Sequence, residues 1–389
     1  MSEISAAIGF NLIVISPTIA LVGTALVLLF FTITIESNEI VKKSITFLGM
    51  LITSFCVFLK FGLFFENGVS SYFTQKILLD EFSLFGNVLI SLILLFNFLP
   101  IWDSSKQLKE KTTEAIILTL MSASGFMLMV DSENLIMLFI GLEIGSISLY
   151  ALAGLNRGDK LSNEASLKYF LLGSLASCIL IYGVSLVYVS FSVLSVYNFA
   201  LGLAYVGPDS IPLTTSIGVL LIFIGLLFKI AAAPFQSWAP DVYQGSPTGY
   251  VGFMSSIAKV SSFIVIARLC LVSINFIIED FNSFFLIVII SSALIGSLFA
   301  SIQEDLKRLL AYSGVVQSGF ILSGIVSGIN GTSASMFYLF TYILQLIGIF
   351  IIFSIINGTL SSEFNIQSIQ GLFINNRFLA ASFCVFMFG

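Results

Sequence analysis

The chain has 389 residues, of which 58% are hydrophobic and only 10% carry a charge. Soluble domains contain about 25% charged residues, so this composition excludes a water-soluble fold. The net charge of −5 combines 21 acidic with 16 basic residues, which are too few and too scattered to form a nucleic-acid surface. Because about 20 apolar residues cross a bilayer as a helix, we predict an all-α polytopic membrane protein.

Histidine and cysteine usage limits the chemistry of the chain. It has no histidine, and four cysteines are single residues within apolar runs, namely Cys56, Cys178, Cys270 and Cys384. Zinc, haem and iron–sulfur sites need paired cysteines or histidine ligands. The sequence also has no glycine-rich phosphate loop between a strand and a helix. We therefore expect no metal and no cofactor in this chain.

Apolar windows predict eleven complete spans, which lie at 11–33, 44–65, 82–101, 114–130, 134–155, 166–190, 211–233, 248–273, 282–300, 309–328 and 333–356. A twelfth begins near Phe378 and is still apolar at Gly389, so we expect the chain to stop inside a helix. The segment 191–206 is too short and too polar to cross. It is expected to form a helix along the membrane surface.

Basic residues in the loops predict the orientation. The loops that follow odd-numbered spans carry ten Lys and Arg residues, whereas those that follow even-numbered spans carry only Lys76. The positive-inside rule places the ten in the cytoplasm or the mitochondrial matrix. The N-terminus is accordingly predicted on the opposite, periplasmic side.

Four charged residues lie inside apolar stretches, namely Glu143, Lys168, Lys229 and Lys259. Each costs about 2.5–3.5 kcal/mol to insert at a helix centre, and a charge retained there is read by default as part of an ion path. Glu143 and Lys259 are too deep to reach water along the helix. Lys168 lies near the start of its span, where snorkelling explains it equally well. Lys60 and Arg268 lie near span ends and are expected to be interfacial anchors.

Lys229 stands five residues before Pro234 in LIFIGLLFKIAAAPF. Proline has no backbone N–H and cannot bond to the carbonyl of Ile230, so we predict a break in the helix here. A broken helix at membrane depth is tolerated where it lines a cavity. Four serines near Lys259 are expected to hydrogen-bond its amine or to hold water beside it, namely Ser255, Ser256, Ser261 and Ser262.

One buried carboxylate and several buried amines suit a proton relay. Burial disfavours the charged form of such groups and their mutual attraction favours it, so moving one charge changes the proton affinity of the other. Lysine can load and release a proton in this setting, and arginine cannot. The spans contain no carboxylate cluster that could cage a metal ion.

Five stretches of the chain carry a family resemblance, in the order LIMLFIGLEIGSISLYALAGLNR, NEASLKYFLLGSLASCILIYG, GLLFKIAAAPFQSWAPDVYQGSPT, FMSSIAKVSSFIVIARL and EDLKRLLAYSGVVQSGFIL. They resemble the antiporter-like membrane subunits of respiratory complex I, the proton-pumping NADH:quinone oxidoreductase. This group is also called the proton-conducting membrane transporter family. The match is closest to its subunit N branch, known as subunit 2 in mitochondria, and runs from about residue 114 to 389.

The resemblance implies fourteen helices, ten of which form two inverted five-helix repeats with one discontinuous helix each. The chain would then divide into a three-helix segment at 1–112, a first repeat at 113–274 and an incomplete second repeat at 275–389. The stretch LAASFCVFMFG is similar to the family just before a conducting lysine of the twelfth helix. That lysine is not in the chain, so a C-terminal truncation is expected.

The resemblance also implies roles for the buried charges. Glu143 is similar to the glutamate of the fifth helix, and Lys229 to its partner on the broken seventh helix. Lys168 is similar to the sixth-helix lysine that tunes this pair, and Lys259 to the eighth-helix lysine that links the two half-channels. Two glutamines, Gln236 and Gln317, stand where the family commonly has histidine. A neutral amide can order water but cannot carry a proton as imidazolium does.

The function implied by the resemblance is proton translocation driven by redox chemistry elsewhere in a complex. NADH, FMN, iron–sulfur clusters and quinone would be held by partner subunits. The expected neighbours are the antiporter-like subunit M and the small subunit K, in a bacterial or mitochondrial inner membrane. Two alternatives stay open: a subunit of a multisubunit cation/proton antiporter, and a scaffold whose buried charges pair for assembly specificity.

Overall fold

The computed structural model describes residues 2–34, 39–107, 112–207, 210–272, 278–357 and 364–388. Its helices are α1 (Ser2–Thr34), α2 (Glu39–Asn67), α3 (Glu81–Gln107), α4 (Thr112–Asp131), α5 (Leu135–Ala153), α6 (Lys160–Phe191), α7 (Val196–Val206), α8 (Leu213–Lys229), α9 (Trp238–Gly245), α10 (Thr248–Val272), α11 (Ile278–Ser301), α12 (Leu306–Val326), α13 (Ile329–Asn357), α14 (Leu372–Asn375) and α15 (Arg377–Phe388). Two strands, β1 (Ser70–Tyr72) and β2 (Ile77–Leu79), and a 3₁₀ turn at Ile366–Ile369 complete the elements of these residues.

The predicted all-α membrane fold is confirmed. Ten of the described helices are long and apolar enough to cross a bilayer, and they correspond to ten of the eleven predicted spans. The span predicted at 211–233 differs, because α8 has 17 residues and already ends at Lys229. Helix α15 lies where a further helix is predicted from Phe378. The total number of spans and the division into repeats stay predictions.

Capping side chains fix where several helices begin. Among the described residues the cap accepts a hydrogen bond from a backbone N–H of the first turn in six cases, namely Asp80 for α3, Asn134 for α5, Asp159 for α6, Ser195 for α7, Asp305 for α12 and Asn376 for α15. Such caps satisfy N–H groups that have no partner within the helix. The polar residues between apolar stretches therefore define the ends of the spans.

Helix α10 forms the centre of the molecule. In its most apolar window 94% of the residues are buried, against 33% in α1 and 22% in α11. It packs against α3, α4 and α13. A helix that is apolar on all sides belongs in such an interior. The two charged residues of α10, Lys259 and Arg268, are consequently both inside the protein.

Lys60 and Arg268 are each buried in an ion pair with a carboxylate. The prediction that they are interfacial anchors is therefore wrong. Lys60 is 0% exposed, and its Nζ lies 2.8 Å from Oδ2 of Asp131 at the end of α4. Arg268 is 2% exposed and pairs with Asp80 at 2.6 Å. The partners are 71 and 188 residues away along the chain. Position within a span therefore gave no indication of these pairs.

The sequence does not predict the β-hairpin. Strands β1 and β2 are antiparallel, and Phe73, Thr74 and Gln75 between them have φ values of 52°, 55° and 61°. Left-handed residues other than glycine are uncommon, and the turn lacks the Asn-Gly or Asp-Gly signal of a hairpin. Ile77 forms a bridge with Ser132, so the hairpin lies against the connection between α4 and α5. We call this end of the molecule the hairpin side.

The short helix predicted within 191–206 is present as α7. Its buried face is spaced as expected for an amphipathic helix and consists of Val196, Phe199, Ala200 and Leu203. The opposite face exposes Tyr197, Leu201 and Tyr205. Its location along the membrane surface stays a prediction.

Candidate functional site

The predicted helix break before Pro234 is confirmed. Helix α8 ends at Lys229 and α9 begins at Trp238. Between them Ala231 has a φ of 56°, and the Ala233–Pro234 peptide is cis. The break thus leaves the side chain of Lys229 at the end of a helix in the interior, where it is 2% exposed.

Serines from other helices satisfy the backbone groups freed by the break. The Ala233 N–H donates to Ser292 Oγ at 2.9 Å, and Ser291 Oγ donates to the Ala233 carbonyl at 3.1 Å. Ser318 Oγ donates to the Ile230 carbonyl at 2.8 Å. Unsatisfied backbone groups are costly at membrane depth, so these contacts hold the broken segment in place. The sequence gives no signal for them beyond serines in apolar helices.

Lys229 is bonded to neutral hydroxyl groups. Its Nζ donates to Ser146 Oγ at 3.0 Å and to the Tyr150 hydroxyl at 2.8 Å, both on α5. The same Nζ lies 5.3 Å from the centroid of the Tyr150 ring, a cation–π distance. Without a Cβ, Gly173 of α6 makes room for this ring, because a Cβ there would clash with the Tyr150 hydroxyl oxygen.

Glu143 lies on α5 one turn before Ser146. Its Oε1 is buried and has no hydrogen-bond partner. Although both side chains are described, no carboxylate oxygen of Glu143 is within 4.0 Å of Lys229 Nζ. Glu143 as a whole is half-buried, and it does not form a closed ion pair with Lys229. The ammonium of Lys229 is bonded instead to the hydroxyls of Ser146 and Tyr150.

Lys259 of α10, like Lys229, is bonded only to uncharged groups among the described residues. Its Nζ donates to the Gly314 carbonyl at 2.8 Å and to the Tyr342 hydroxyl at 3.1 Å. A Cβ on Gly314 would lie 2.5 Å from this Nζ, so the close approach depends on glycine. None of the neighbouring serines bonds the amine, and the alternative expectation that they hold water stays a prediction. Three of them donate to carbonyls within α10, which is the usual bond of a helical serine, namely Ser255, Ser256 and Ser261.

Lys168 is placed apart from the other three predicted residues. Its side chain is 39% exposed and lies 2.7 Å from Glu164 and 2.5 Å from Asp241 of α9. The structure thus places Glu143 on α5, the helix that also carries the partners of Lys229, and directs Lys168 toward the second half of the broken helix.

Asp241 is the centre of a network that the sequence did not indicate. Its other carboxylate oxygen accepts from Arg308 Nη1 of α12 at 2.7 Å, and Arg308 also donates to Gln244 Oε1 at 3.0 Å. Lys307, which is 0% exposed, donates to the Ser246 carbonyl at 3.0 Å. Helix α9 is therefore tied to both α6 and α12, close to the break that presents Lys229.

The two glutamines singled out in the sequence, Gln236 and Gln317, have different environments. Oε1 of Gln236 is buried without a partner, directly after the helix break. Gln317 accepts a hydrogen bond from the Tyr338 hydroxyl. An amide oxygen can orient a water molecule or a hydroxyl at either place.

Comparison with known proteins agrees with this architecture. A model of the family "NADH:quinone oxidoreductase/Mrp antiporter, TM" matches residues 132–389. NADH-quinone oxidoreductase subunit N of Trichlorobacter lovleyi is 36% identical over 322 residues, or 82% of this chain. Subunit N 1 of Thermodesulfovibrio yellowstonii is 32% identical over 383 residues, which are 96% of this chain and 77% of the relative. The chain spans 65% of the length of the first of these relatives.

Solved structures share the fold. A chain of respiratory complex I from Thermus thermophilus matches with a TM-score of 0.77 and 26% identity, covering 95% of this chain and 77% of that one. A chain of the Mrp complex from Dietzia matches with a TM-score of 0.80 at 18% identity, covering 96% and 70%, and shows the fold alone. The chain is therefore a multi-pass membrane protein that belongs to the NADH:quinone oxidoreductase/Mrp antiporter family.

Proposed function

We propose that the chain is a proton-translocating membrane subunit of an NADH:quinone oxidoreductase of the complex I type, equivalent to subunit N. The observation that carries the proposal is Lys229, a buried amine at the end of a broken helix, bonded only to the hydroxyls of Ser146 and Tyr150. Glu143, with a buried carboxylate oxygen that has no partner, lies on the same facing helix. The names of the relatives that cover most of the chain support the assignment.

In this proposal Glu143, Lys229 and Lys259 are the proton-carrying groups. A charge change that arrives from a neighbouring subunit alters the balance between Glu143 and Lys229. Lys229 then passes its proton toward Lys259, which can hold it because its own partners are a carbonyl and a hydroxyl. Neutral partners permit this exchange, since an amine that loses its proton next to a hydroxyl leaves no buried anion behind.

Lys168 takes part as a tuning residue in the proposal. Its ion pair with Asp241 connects α6 with the second half of the broken helix. A shift of that pair would move α9 and, with it, the end of α8 that carries Lys229. Lys168 thereby acts through position and through its charge, without contact with the proton itself.

The remaining parts of the complex follow from the same proposal. Redox chemistry, with NADH, FMN, iron–sulfur clusters and quinone, takes place in partner subunits. The membrane neighbours are an antiporter-like subunit M and a small subunit K, in a bacterial or mitochondrial inner membrane with the N-terminus on the positive side. The first repeat spans 113–274 and the second begins at 275.

A second candidate is a subunit of a cation/proton antiporter. The family model includes Mrp antiporters, and the fold matches a chain of the Mrp complex from Dietzia. The subunit N relatives are the stronger support, because they combine higher sequence identity with similar coverage of the chain. Proton movement driven by a sodium gradient in the absence of NADH would favour the antiporter.

The test is NADH-driven proton pumping, measured beside NADH:quinone turnover, in membranes that carry the full-length protein with Lys229→Met. Native gels first establish that the complex assembles. We expect pumping to fall on the order of tenfold or more, because a positioned proton carrier is removed. The matched control is Lys76→Met, which removes an exposed lysine on the hairpin side. Normal pumping and turnover in an assembled Lys229→Met complex would overturn the proposal and favour the scaffold.

A further inference from the structure

A cavity of about 580 Å³ opens on the hairpin side, far along α10 from Lys259. It lies where the hairpin, the start of α3, the connection between α4 and α5, the start of α7 and the end of α10 meet. Its wall combines apolar with acidic side chains, among them Leu78, Phe82, Val196, Asp80, Glu81 and Glu133. Volumes of about 300–1,000 Å³ with mostly apolar walls and a few polar groups are typical of small-molecule sites.

Asp80 does not account for the polar character of this cavity, because its charge is already matched. Arg268 donates from Nε to Asp80 Oδ2 at 2.9 Å and from Nη2 to Asp80 Oδ1 at 2.6 Å. The remaining nitrogen of Arg268 donates to the carbonyls of Val130 at 2.6 Å and Ser132 at 3.2 Å. Four of the five N–H donors of the guanidinium are therefore engaged, and its charge is matched by Asp80.

Glu133 is the unmatched group. It is 3% exposed, its Oε1 accepts from Ser195 Oγ at 2.9 Å, and its Oε2 is buried without a partner. Its backbone is held on both sides, since its N–H donates to the Lys76 carbonyl at 3.0 Å and its carbonyl accepts from the Val196 N–H at 2.9 Å. A buried carboxylate without a cationic partner is costly, so a ligand that supplies the cation would be bound favourably.

We propose that this cavity binds an aliphatic primary ammonium ion, with the ammonium on Glu133 and the alkyl chain along Leu78, Phe82 and Val196. Glu81, which is exposed and lines the same cavity, adds a second negative charge near the ammonium. A phosphate next to the amine is disfavoured, because it would meet the negative charges of Glu81 and Asp80 in the same cavity wall. The ligand is thus an amine without an adjoining phosphate and not an aminophospholipid headgroup.

The experiment measures binding of dansylcadaverine, a fluorescent primary amine on a five-carbon chain, to the purified complex in detergent. Hexylamine should displace it, whereas hexanol and hexanoate, which have the same chain without the cation, should not. Glu133→Gln should weaken binding about tenfold or more, as expected for loss of a charged hydrogen-bond partner. The amide oxygen of that variant can still accept from Ser195, which favours retention of the local fold.

Further variants keep the test decisive. Glu66→Gln removes an exposed carboxylate at the end of α2, outside the cavity wall, and should leave binding unchanged. Val69→Trp narrows the cavity at an exposed wall residue without altering Glu133, so it should weaken binding even if Glu133→Gln fails to fold. Equal displacement by hexanol and hexylamine, wild-type binding by folded Glu133→Gln, or competition by phosphatidylethanolamine as strong as that by hexylamine would overturn the proposal. None of these readouts depends on proton pumping.

Discussion

Two regions of the interior hold their buried cations in different ways. On the hairpin side each cation faces a carboxylate: Lys60 pairs with Asp131 and Arg268 with Asp80. In the middle of the molecule Lys229 and Lys259 face only hydroxyls and one carbonyl. A closed ion pair resists deprotonation, because loss of the proton would leave an unpaired buried anion. The hairpin side thus holds its cations in closed ion pairs, whereas the neutral partners in the middle are what the proposed proton exchange requires.

The strongest way to break this comparison is to remove one member of a closed pair. Lys60→Met leaves the carboxylate of Asp131 buried with only the amide of Asn87, which donates to it at 2.6 Å. We expect a loss of about 3–5 kcal/mol in the free energy of unfolding, as for other broken buried pairs. The amount of assembled complex and its thermal unfolding midpoint in detergent measure the loss.

The double variant Lys60→Met with Asp131→Leu is the control for that prediction. It replaces the pair with apolar side chains and should recover most of the lost stability. Lys229→Met, which removes an amine from neutral partners, should leave the unfolding midpoint much closer to that of the wild type. If Lys229→Met destabilises as strongly as Lys60→Met, the distinction between the two regions is wrong.

The next test disturbs the middle region without removing a charge. In Gly314→Ala the new Cβ would lie 2.5 Å from Lys259 Nζ and 2.9 Å from the Tyr342 hydroxyl, so the ammonium has to move. A displacement near 1 Å of a reacting group can cost about a hundredfold in rate, and we expect pumping to fall by about tenfold to a hundredfold in an assembled complex. NADH-driven acidification of membrane vesicles measures it.

Gly62→Ala provides the matched control, because nothing lies within 4 Å of the Cβ that it adds. It should pump as the wild type does. Unchanged pumping in Gly314→Ala would mean that the Gly314 carbonyl does not position Lys259 for proton transfer.

The sequence predicts which charged residues lie inside the membrane, but it does not predict which residues they contact. Apolar periodicity places Lys229 and Lys259 inside the membrane, and Pro234 predicts the helix break, because both signals are local. The partners of Lys60 and Arg268 come from helices and loops distant in the chain, and their pairing depends on how the helices are rotated against one another. A helix that is apolar on all sides, as α10 is, has no amphipathic pattern from which that rotation could be predicted.

In the candidate site, too, the sequence predicts the charged residues but not their contacts. The interior lysines were identified from their position in apolar runs, whereas their hydroxyl and carbonyl partners were not. Asp241 was also missed, since a single carboxylate after a helix break gives no hint of its contacts with Lys168 and Arg308. The serines near Lys259 do not bond its amine as expected, because a serine in a helix usually bonds to a carbonyl of its own helix.

The smallest expected effect concerns Glu133, the one buried carboxylate on the hairpin side for which the described residues supply no contacting cation. Burial raises the pKa of this carboxyl above its ordinary value of 4.5, while the hydrogen bond from Ser195 and the charge of Arg268 oppose the rise and Asp80 adds to it. The folded protein therefore binds a proton more tightly there than the unfolded chain does. This contribution to stability is fully present below the unfolded pKa and is lost as the pH rises through the folded pKa. Glu133→Gln, which cannot ionise, should gain in unfolding midpoint relative to the wild type as the pH rises above the ordinary value of 4.5. A saturating concentration of hexylamine should reduce that gain by stabilising the ionised wild type. A constant difference between variant and wild type over this rise in pH would show that Glu133 does not titrate differently on folding.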